Sequence, residues 1–508
     1  MKRWTIMVYM AGDNNLSEDM VAELKGMQAS MGVKDCDRNV NLVAVYDSGY
    51  FTVDTTIYRF TSSGAKKPLA SCELRNSRTS VGSNSESPRL KDFVQMVANR
   101  PELKAEKYAL IISGHSDGVM SKTMLRDNHP ETIITLSHLG KTLKEAANSL
   151  GKNRKFDLLG FDSCLMGMLE VGYELRNAAE VMVASQGLTP AAGWPYNLVL
   201  QPLISCCGRM TALEFASSIV SQFSEYSKEF SVGGRSVNIN ASDLSGAEGV
   251  KKAIDGLGKF LAHVLDWQVS EGKEVSEEQA ANFSVVRERI LDLIHSTHYN
   301  SQTFMQEQAV DIRDFSEALE SRCEQMKSEI TTLTGGQFSA AAMLLWDVFS
   351  TIQHHCVKIS AAADEYVVAN CFSGPEYQFS KGVSVFFPWS YLAFNLIFNQ
   401  YNELQFNRHG AWWKTFIERY TKHTVRPSVG AKFEVDTNFL SWVRTREERT
   451  IIDPGKLDAA RQWTGRQWSG RQWTGKQWSG KGDMEEFYKL FGRFRNFPVL
   501  HDPVGCNE

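Results

Sequence analysis

The sequence predicts a doubly wound, mostly parallel α/β sheet flanked by helices, with a helix-rich C-terminal part, and three observations carry that prediction. Tyr108-Ala-Leu-Ile-Ile-Ser-Gly-His115 and Phe156-Asp-Leu-Leu-Gly-Phe-Asp-Ser-Cys164 are near-continuous apolar runs of strand length, the pattern of strands buried on both faces. Between them, Thr135 to Leu150 carries Leu136, Leu139, Leu143 and Ala147 at helical spacing. A strand–helix–strand unit of this kind makes its two strands parallel and often adjacent. The same alternation extends on both sides of the unit, which argues for a sheet wound with helices on both faces.

In chain order, strands are expected at Thr5–Met10, Asn41–Tyr46, Thr56–Phe60, Tyr108–Ser113, Phe156–Phe161 and Val181–Ala184. Helices are expected at Ser17–Gln28, Ser87–Asn99, Thr135–Leu150 and Leu165–Asn177. Residues 210–365 turn mostly helical, with amphipathic runs at Ala212–Phe230, Gly246–Trp267 and Phe304–Thr331, whose charged faces read as the solvated side of a supporting layer. Val383–Pro388 reads as a late strand and Tyr391–Thr421 as a final, aromatic-rich helical region. The expected organisation is an α/β unit over 1–235, a helix-rich part over 236–425 and a tail over 426–508.

In parallel sheets, ligands and chemistry collect at the carboxyl ends of the strands. His115 and Cys164 stand at two such ends, and adjacent strands lie about 4.8 Å apart. If the two strands are neighbours, imidazole and thiol emerge together, the pairing that nucleophilic acyl transfer needs. Leu165 to Asn177 carries Leu165, Leu169 and Tyr173 on one face, and a helix starting directly after Cys164 would offer N–H groups to a thiolate or an oxyanion. The bland alternative stays open on these residues alone, because free cysteines are commonly buried and inert and lone histidines commonly structural.

Composition narrows the class. The chain has 508 residues, 43% of them hydrophobic, enough for a large core and more than one structural unit. Its net charge of −4, from 55 basic and 59 acidic residues, gives no global reason for nucleic-acid or membrane binding. Nine cysteines without CxxC pairs argue against a complete disulfide framework and against a zinc cluster. His354-His355 beside Cys356 reads as a helix edge rather than a metal site, and no metal is expected to be bound. No stretch reaches the ~20 apolar residues of a membrane span, and the short run Ile6–Ala11 after Lys2-Arg3 reads as a strand rather than a leader.

Taken together, the motifs resemble the clostripain family of cysteine peptidases, relatives by fold of caspases, legumain and gingipains. The resemblance rests on Trp4-Thr-Ile-Met-Val-Tyr-Met-Ala-Gly-Asp-Asn-Asn-Leu16, Tyr108 to Gly118, Gly160-Phe-Asp-Ser-Cys-Leu-Met-Gly167, Val183-Ala-Ser-Gln186 and Gly193-Trp-Pro-Tyr196. More thinly, it continues through Ala309–Phe315, Gly382–Pro388 and Trp412-Trp413, covering roughly residues 1–425. It implies a caspase-like sheet, Cys164 as nucleophile, His115 as its catalytic partner, and Asp162 as the acid that receives a P1 Arg or Lys.

A carboxylate suits that task, pairing with guanidinium through a bidentate fork or with ammonium as a point charge. The alternative for Asp162 is a carboxylate that only orients its loop. The backbone N–H groups of Ser116 and Cys164 are the oxyanion candidates. Two departures stand out: many relatives carry glycine after the histidine, where this chain has Ser116, and many carry Pro-Gly-Asp-Gly where it has Pro190-Ala-Ala-Gly193.

Family resemblance also allows calcium dependence, although no EF-hand loop is present. Several relatives mature by cleavage between the two strands, and here Gly151-Lys-Asn-Arg-Lys155 is the most loop-like basic stretch in that interval. The expected partners are protein or peptide substrates with a basic P1 residue. A chain opening on its first strand suggests cytoplasmic work or an unusual export route. The alternative from a different class is a catalytically idle sensor or scaffold acting through its tail.

That tail repeats Arg/Lys-Gln-Trp-Thr/Ser-Gly four times over 461–480, with Trp463, Trp468, Trp473 and Trp478. A period of five fits neither strand nor helix, and glycine in each unit favours turns or disorder. Three readings are open: a linker, an aromatic-basic strip for a glycan or single-stranded nucleic acid, or a regulator of a basic-specific site. Beyond it, Asp483–Arg495 reads as a short helix with Phe487, Leu490, Phe491 and Phe494 on a docking face.

Overall fold

The computed structural model describes residues 1–424 apart from 33–37, 50–54, 63–65, 71–87, 121–123, 129–130, 233–235, 267–276, 305–307, 335, 337 and 409. The tail over 426–508, with its repeats and terminal helix, therefore lies outside the described residues.

Nine strands form the central sheet: β1 (Lys2–Gly12), β2 (Val40–Ser48), β3 (Thr56–Phe60), β4 (Lys66–Ala70), β5 (Ala105–Ser113), β6 (Phe156–Asp162), β7 (Ala179–Ala184), β8 (Val237–Asp243) and β9 (Val367–Ser373). Their spatial order is β9-β8-β7-β6-β5-β1-β2-β3-β4. The middle five, β7-β6-β5-β1-β2, run parallel, and antiparallel pairs finish both edges. All six expected strands are present, each within a few residues of its expected bounds.

Alternation along the strands decides the layers. Met7, Leu110, Ile112, Leu159 and Phe161 point into a core with the helices Pro88–Ala98, Leu136–Ser149 and Ala247–Leu265. Ile6, Val8, Ala109, Ile111 and Leu158 point to the opposite core, against the helices Ser17–Ser30 and Ala212–Val232. Both faces are thus covered, which is why these strands carry so few polar residues. The fold class is as the sequence predicts.

Four expectations need correction. The helix expected from Leu165 begins only at Leu169 and ends at Leu175. Leu165 adopts φ +61, its N–H bonds Gly187 O at 3.0 Å, and Gly167 N–H bonds Ser185 O at 2.7 Å, so this stretch packs against the β7 exit before it can coil. The run Phe304–Thr331 is helical only from Ile312, because Thr303–Phe304 pairs with Ala309–Val310 and Ala309–Asp311 pairs with Ser384–Phe386 in a small second sheet. The Tyr391–Thr421 region is three helices, Tyr391–Glu403, Gln405–Arg408 and Trp412–Thr424. Finally, β8 and β9 fall in the stretch read as mostly helical or beyond it, and they extend the central sheet itself.

The central sheet therefore draws on residues from both sides of 235/236. Buried side chains tie the late segments to it. Glu170 accepts hydrogen bonds from Phe386 N–H at 2.9 Å and Tyr401 O–H at 3.0 Å, and Glu174 accepts from Phe406 N–H at 3.1 Å. Gln186 donates to Asp311 Oδ2 at 2.9 Å and accepts from Gly382 N–H at 3.0 Å.

Candidate active site

The sheet register sets the geometry. β5 and β6 are parallel neighbours with Ser113 opposite Asp162. His115 and Cys164 each follow that pair by two residues, so both leave the same sheet edge side by side. Gly114 makes the first turn, with φ +150 and tight surroundings: a Cβ there would meet Ala11 Cβ at 3.2 Å and Ala11 O at 3.3 Å. Its N–H also bonds Asp162 O at 3.3 Å, continuing the ladder one step past the strands.

Both reactive side chains are buried, His115 being 5% and Cys164 4% exposed. His115 Nε2 lies 2.7 Å from Asn15 Oδ1. Asn15 comes from the exit of β1, the strand on the other side of β5. Its loop is shaped by Asn14, whose side-chain oxygen accepts from Leu16 N–H at 2.9 Å while its amide donates to Ala11 O at 2.9 Å and Arg126 O at 3.0 Å. An Asx turn of this kind fixes the loop locally, without help from the core.

Cys164 Sγ accepts a hydrogen bond from Thr189 N–H at 3.4 Å. Thr189 is held in turn by its hydroxyl on Ser163 O at 3.0 Å. The N–H donor at the sulfur is therefore supplied by the loop after β7, not by a helix end. Ser116, 5% exposed, donates its hydroxyl hydrogen to Cys164 O and so joins the histidine loop to the cysteine loop.

Asp162 is 4% exposed and sits under the Pro190–Trp194 loop. Its Oδ2 accepts from Trp194 N–H at 2.9 Å and Tyr196 O–H at 3.2 Å, while Oδ1 is buried without a hydrogen-bond partner. Burial pushes its carboxyl up to about 7, against the opposing pull of those two donors. Beside it lies Glu23 from the first helix, 5% exposed, its Oε2 accepting from Ser113 O–H at 3.1 Å. Burial first, and the Asp162 charge second, hold Glu23 well above the usual carboxylate range. Among the described residues, no group of three or more His, Cys, Asp or Glu is arranged to hold a metal ion.

A family model described as the clostripain family matches residues 8–420. The chain belongs to the clostripain family. Over 302 residues it is 27% identical to clostripain of Hathewaya histolytica, a match covering 51% of this chain and 56% of that protein. The chain thus spans only about half the length of the relative it matches. Among solved structures, it is similar to a secreted C11 cysteine protease from Bacteroides thetaiotaomicron in complex with an irreversible peptide inhibitor. That likeness has a TM-score of 0.50 and 16% identity, covering 82% of this chain and 99% of the other. A further structure of a secreted C11 cysteine protease from that organism, called iotapain, gives a TM-score of 0.50 and 13% identity over the same shares. These structural likenesses bear on the fold.

The structure brings together at the strand exits the four residues singled out in the sequence, His115, Ser116, Asp162 and Cys164, and places beside them Asn15 and Glu23, which were not singled out. Asn15 was legible only as part of the Asp13-Asn-Asn-Leu16 stretch. Glu23 had a clearer signal, since it interrupts the buried stripe Met20, Leu24, Met27 of its helix with an acid.

Proposed function

We propose that the chain is a cysteine endopeptidase that cleaves after arginine, with lysine as the second candidate, through Cys164 and His115. The observation that carries this reading is the Ser113–Asp162 register pair, from which both residues emerge two positions later on adjacent strands.

In this reading the Cys164 thiol gives its proton to the His115 imidazole, and sulfur attacks the scissile carbonyl carbon. The backbone N–H groups of Ser116 and Cys164 receive the developing oxyanion. Collapse breaks the C–N bond, and the imidazolium protonates the leaving amine. Water, deprotonated by the same imidazole, then attacks the thioester and restores the thiol. Asp162 receives the P1 cation. Both reacting groups are buried here and Cys164 Sγ is engaged by Thr189 N–H, so a substrate reaches them only after a local rearrangement.

Self-processing belongs to the same proposal. In Gly151–Lys155, Arg154 is engaged: it donates to Glu106 O and lies over the Tyr108 ring at 4.9 Å. Lys152 is exposed and is the expected cleavage point.

The test is an assay of wild type and Cys164→Ala on matched fluorogenic peptides ending in Arg, Lys, Asp or Leu. The proposal expects cleavage after Arg or Lys, and none by the variant. Silence of the wild type, with and without calcium or prior nicking at Lys152, overturns it in favour of an idle scaffold.

A further inference from the structure

The loop Pro190-Ala-Ala-Gly193 brings no acid to Asp162, yet a second carboxylate is there. Gly193 has φ +64, and a Cβ on it would lie 2.4 Å from Glu23 Oε1 and 3.0 Å from Asp162 Oδ2. Both oxygens therefore lie within 3.0 Å of one point, and only glycine lets the loop cross above them. The two acids come from different elements, Glu23 from the helix Ser17–Ser30 and Asp162 from the end of β6.

Among the described residues, no lysine or arginine contributes to the electrostatic environment that shifts either carboxyl. The groups that face them are Ser113, Trp194 N–H and Tyr196, with Asp19 acting on Glu23 from the same helix. Asp162 Oδ1, moreover, is a buried acceptor with nothing donating to it. Two facing acids without a cation, one with an open acceptor, form a buried site short of a cationic donor.

We infer that Glu23 is the second carboxylate of the P1 pocket, so that a guanidinium is held by Asp162 and Glu23 together. This inference rests on the basic-P1 reading above. Its consequence is specific. Two like charges this close share a proton while the pocket is empty, and an entering guanidinium replaces that proton as the neutralising charge. Binding of an arginine side chain is thus coupled to proton release, which a merely structural Glu23 does not require.

The experiment uses full-length Cys164→Ala, so that no turnover occurs, titrated calorimetrically at pH 7 with agmatine, a guanidinium without a peptide. Two buffers of different ionisation enthalpy report proton release. Loss of one charge-assisted contact predicts that Glu23→Gln weakens agmatine binding about tenfold or more and abolishes the proton release. Glutamine still accepts from Ser113, so the fold should persist, and a thermal melt checks it. Glu23→Asp keeps the charge and is expected to bind with intermediate affinity; it carries the test if Glu23→Gln does not fold.

Agmatine affinity within twofold of the parent in Glu23→Gln, with binding still lost in Asp162→Asn, overturns the role of Glu23 and leaves the P1 reading standing. Binding that neither Asp162→Asn nor Glu23→Gln affects, or no binding by the parent, overturns both.

Discussion

Replacing Asn15 by alanine removes the acceptor that lies 2.7 Å from His115 Nε2. With hydrogen on Nε2, the other ring nitrogen keeps the lone pair that a general base needs. Leaving a buried N–H unpaired costs about 1–3 kcal/mol. The His115 ring is 5% exposed, which argues for the upper end, but Asn15 itself is exposed, so water can take its place. The lower end therefore governs. About 1 kcal/mol corresponds to a roughly fivefold fall in rate, to which looser ring orientation adds a further factor of about two.

The expected result for Asn15→Ala is a five- to tenfold lower kcat on an Arg peptide with KM little changed, after correction by active-site titration. Asn15→Asp, which keeps an acceptor at the same reach, should restore most of the rate. A kcat for Asn15→Ala equal to wild type, on fully titrated enzyme, would refute the claim that this bond holds the imidazole for catalysis.

Two buried groups should tilt stability in opposite directions with pH. Burial pushes Glu170 from its ordinary 4.5 up to about 7, so its contribution is complete below about 4.5 and is lost as pH rises towards 7; Glu170→Gln should flatten that decline in thermal midpoint. His298 is fully buried, stacked on Trp389 at 3.8 Å and Phe387 at 4.2 Å, and burial holds it well below its ordinary 6.5. Its contribution is complete above about 6.5 and is lost as pH falls, so His298→Phe, which keeps a ring for the stack, should lose less stability between pH 7 and pH 5 than wild type.

What the sequence disclosed follows from which forces are local. Strands buried on both faces announce themselves by composition, and a crossover helix between two of them fixes their parallel sense, so the placing of His115 and Cys164 at neighbouring strand ends is legible in the sequence. The start of the helix after Cys164 could not. Its delay depends on Gly167, where a Cβ would meet Asn240 Oδ1 at 2.7 Å and Gln186 N at 2.8 Å, contacts made by residues far along the chain.

The strand Val237–Asp243 was hidden for a related reason. It lies within the stretch expected to be mostly helical, and its polar Asn238, Asn240 and Ser242 are buried, Asn238 accepting from Ser185 O–H at 2.7 Å and Gly187 N–H at 2.9 Å. Polar residues whose partners lie 50 or more positions away carry no local signal of burial. Glu23 belongs to the same class: an acid on an apolar helix face marks something unusual, but only the fold shows that it faces Asp162.

The central claim, that Cys164 is the nucleophile and His115 its activating partner, is tested most directly by covalent capture. Wild type and His115→Ala would be incubated with a peptidyl-arginine acyloxymethyl ketone, and the adduct located by peptide mass spectrometry. The account predicts one adduct, on Cys164, forming at least ~100-fold more slowly in His115→Ala, in keeping with the usual contribution of a positioned acid–base group. An adduct on any other of the nine cysteines, or equal labelling rates in the two proteins, would contradict it.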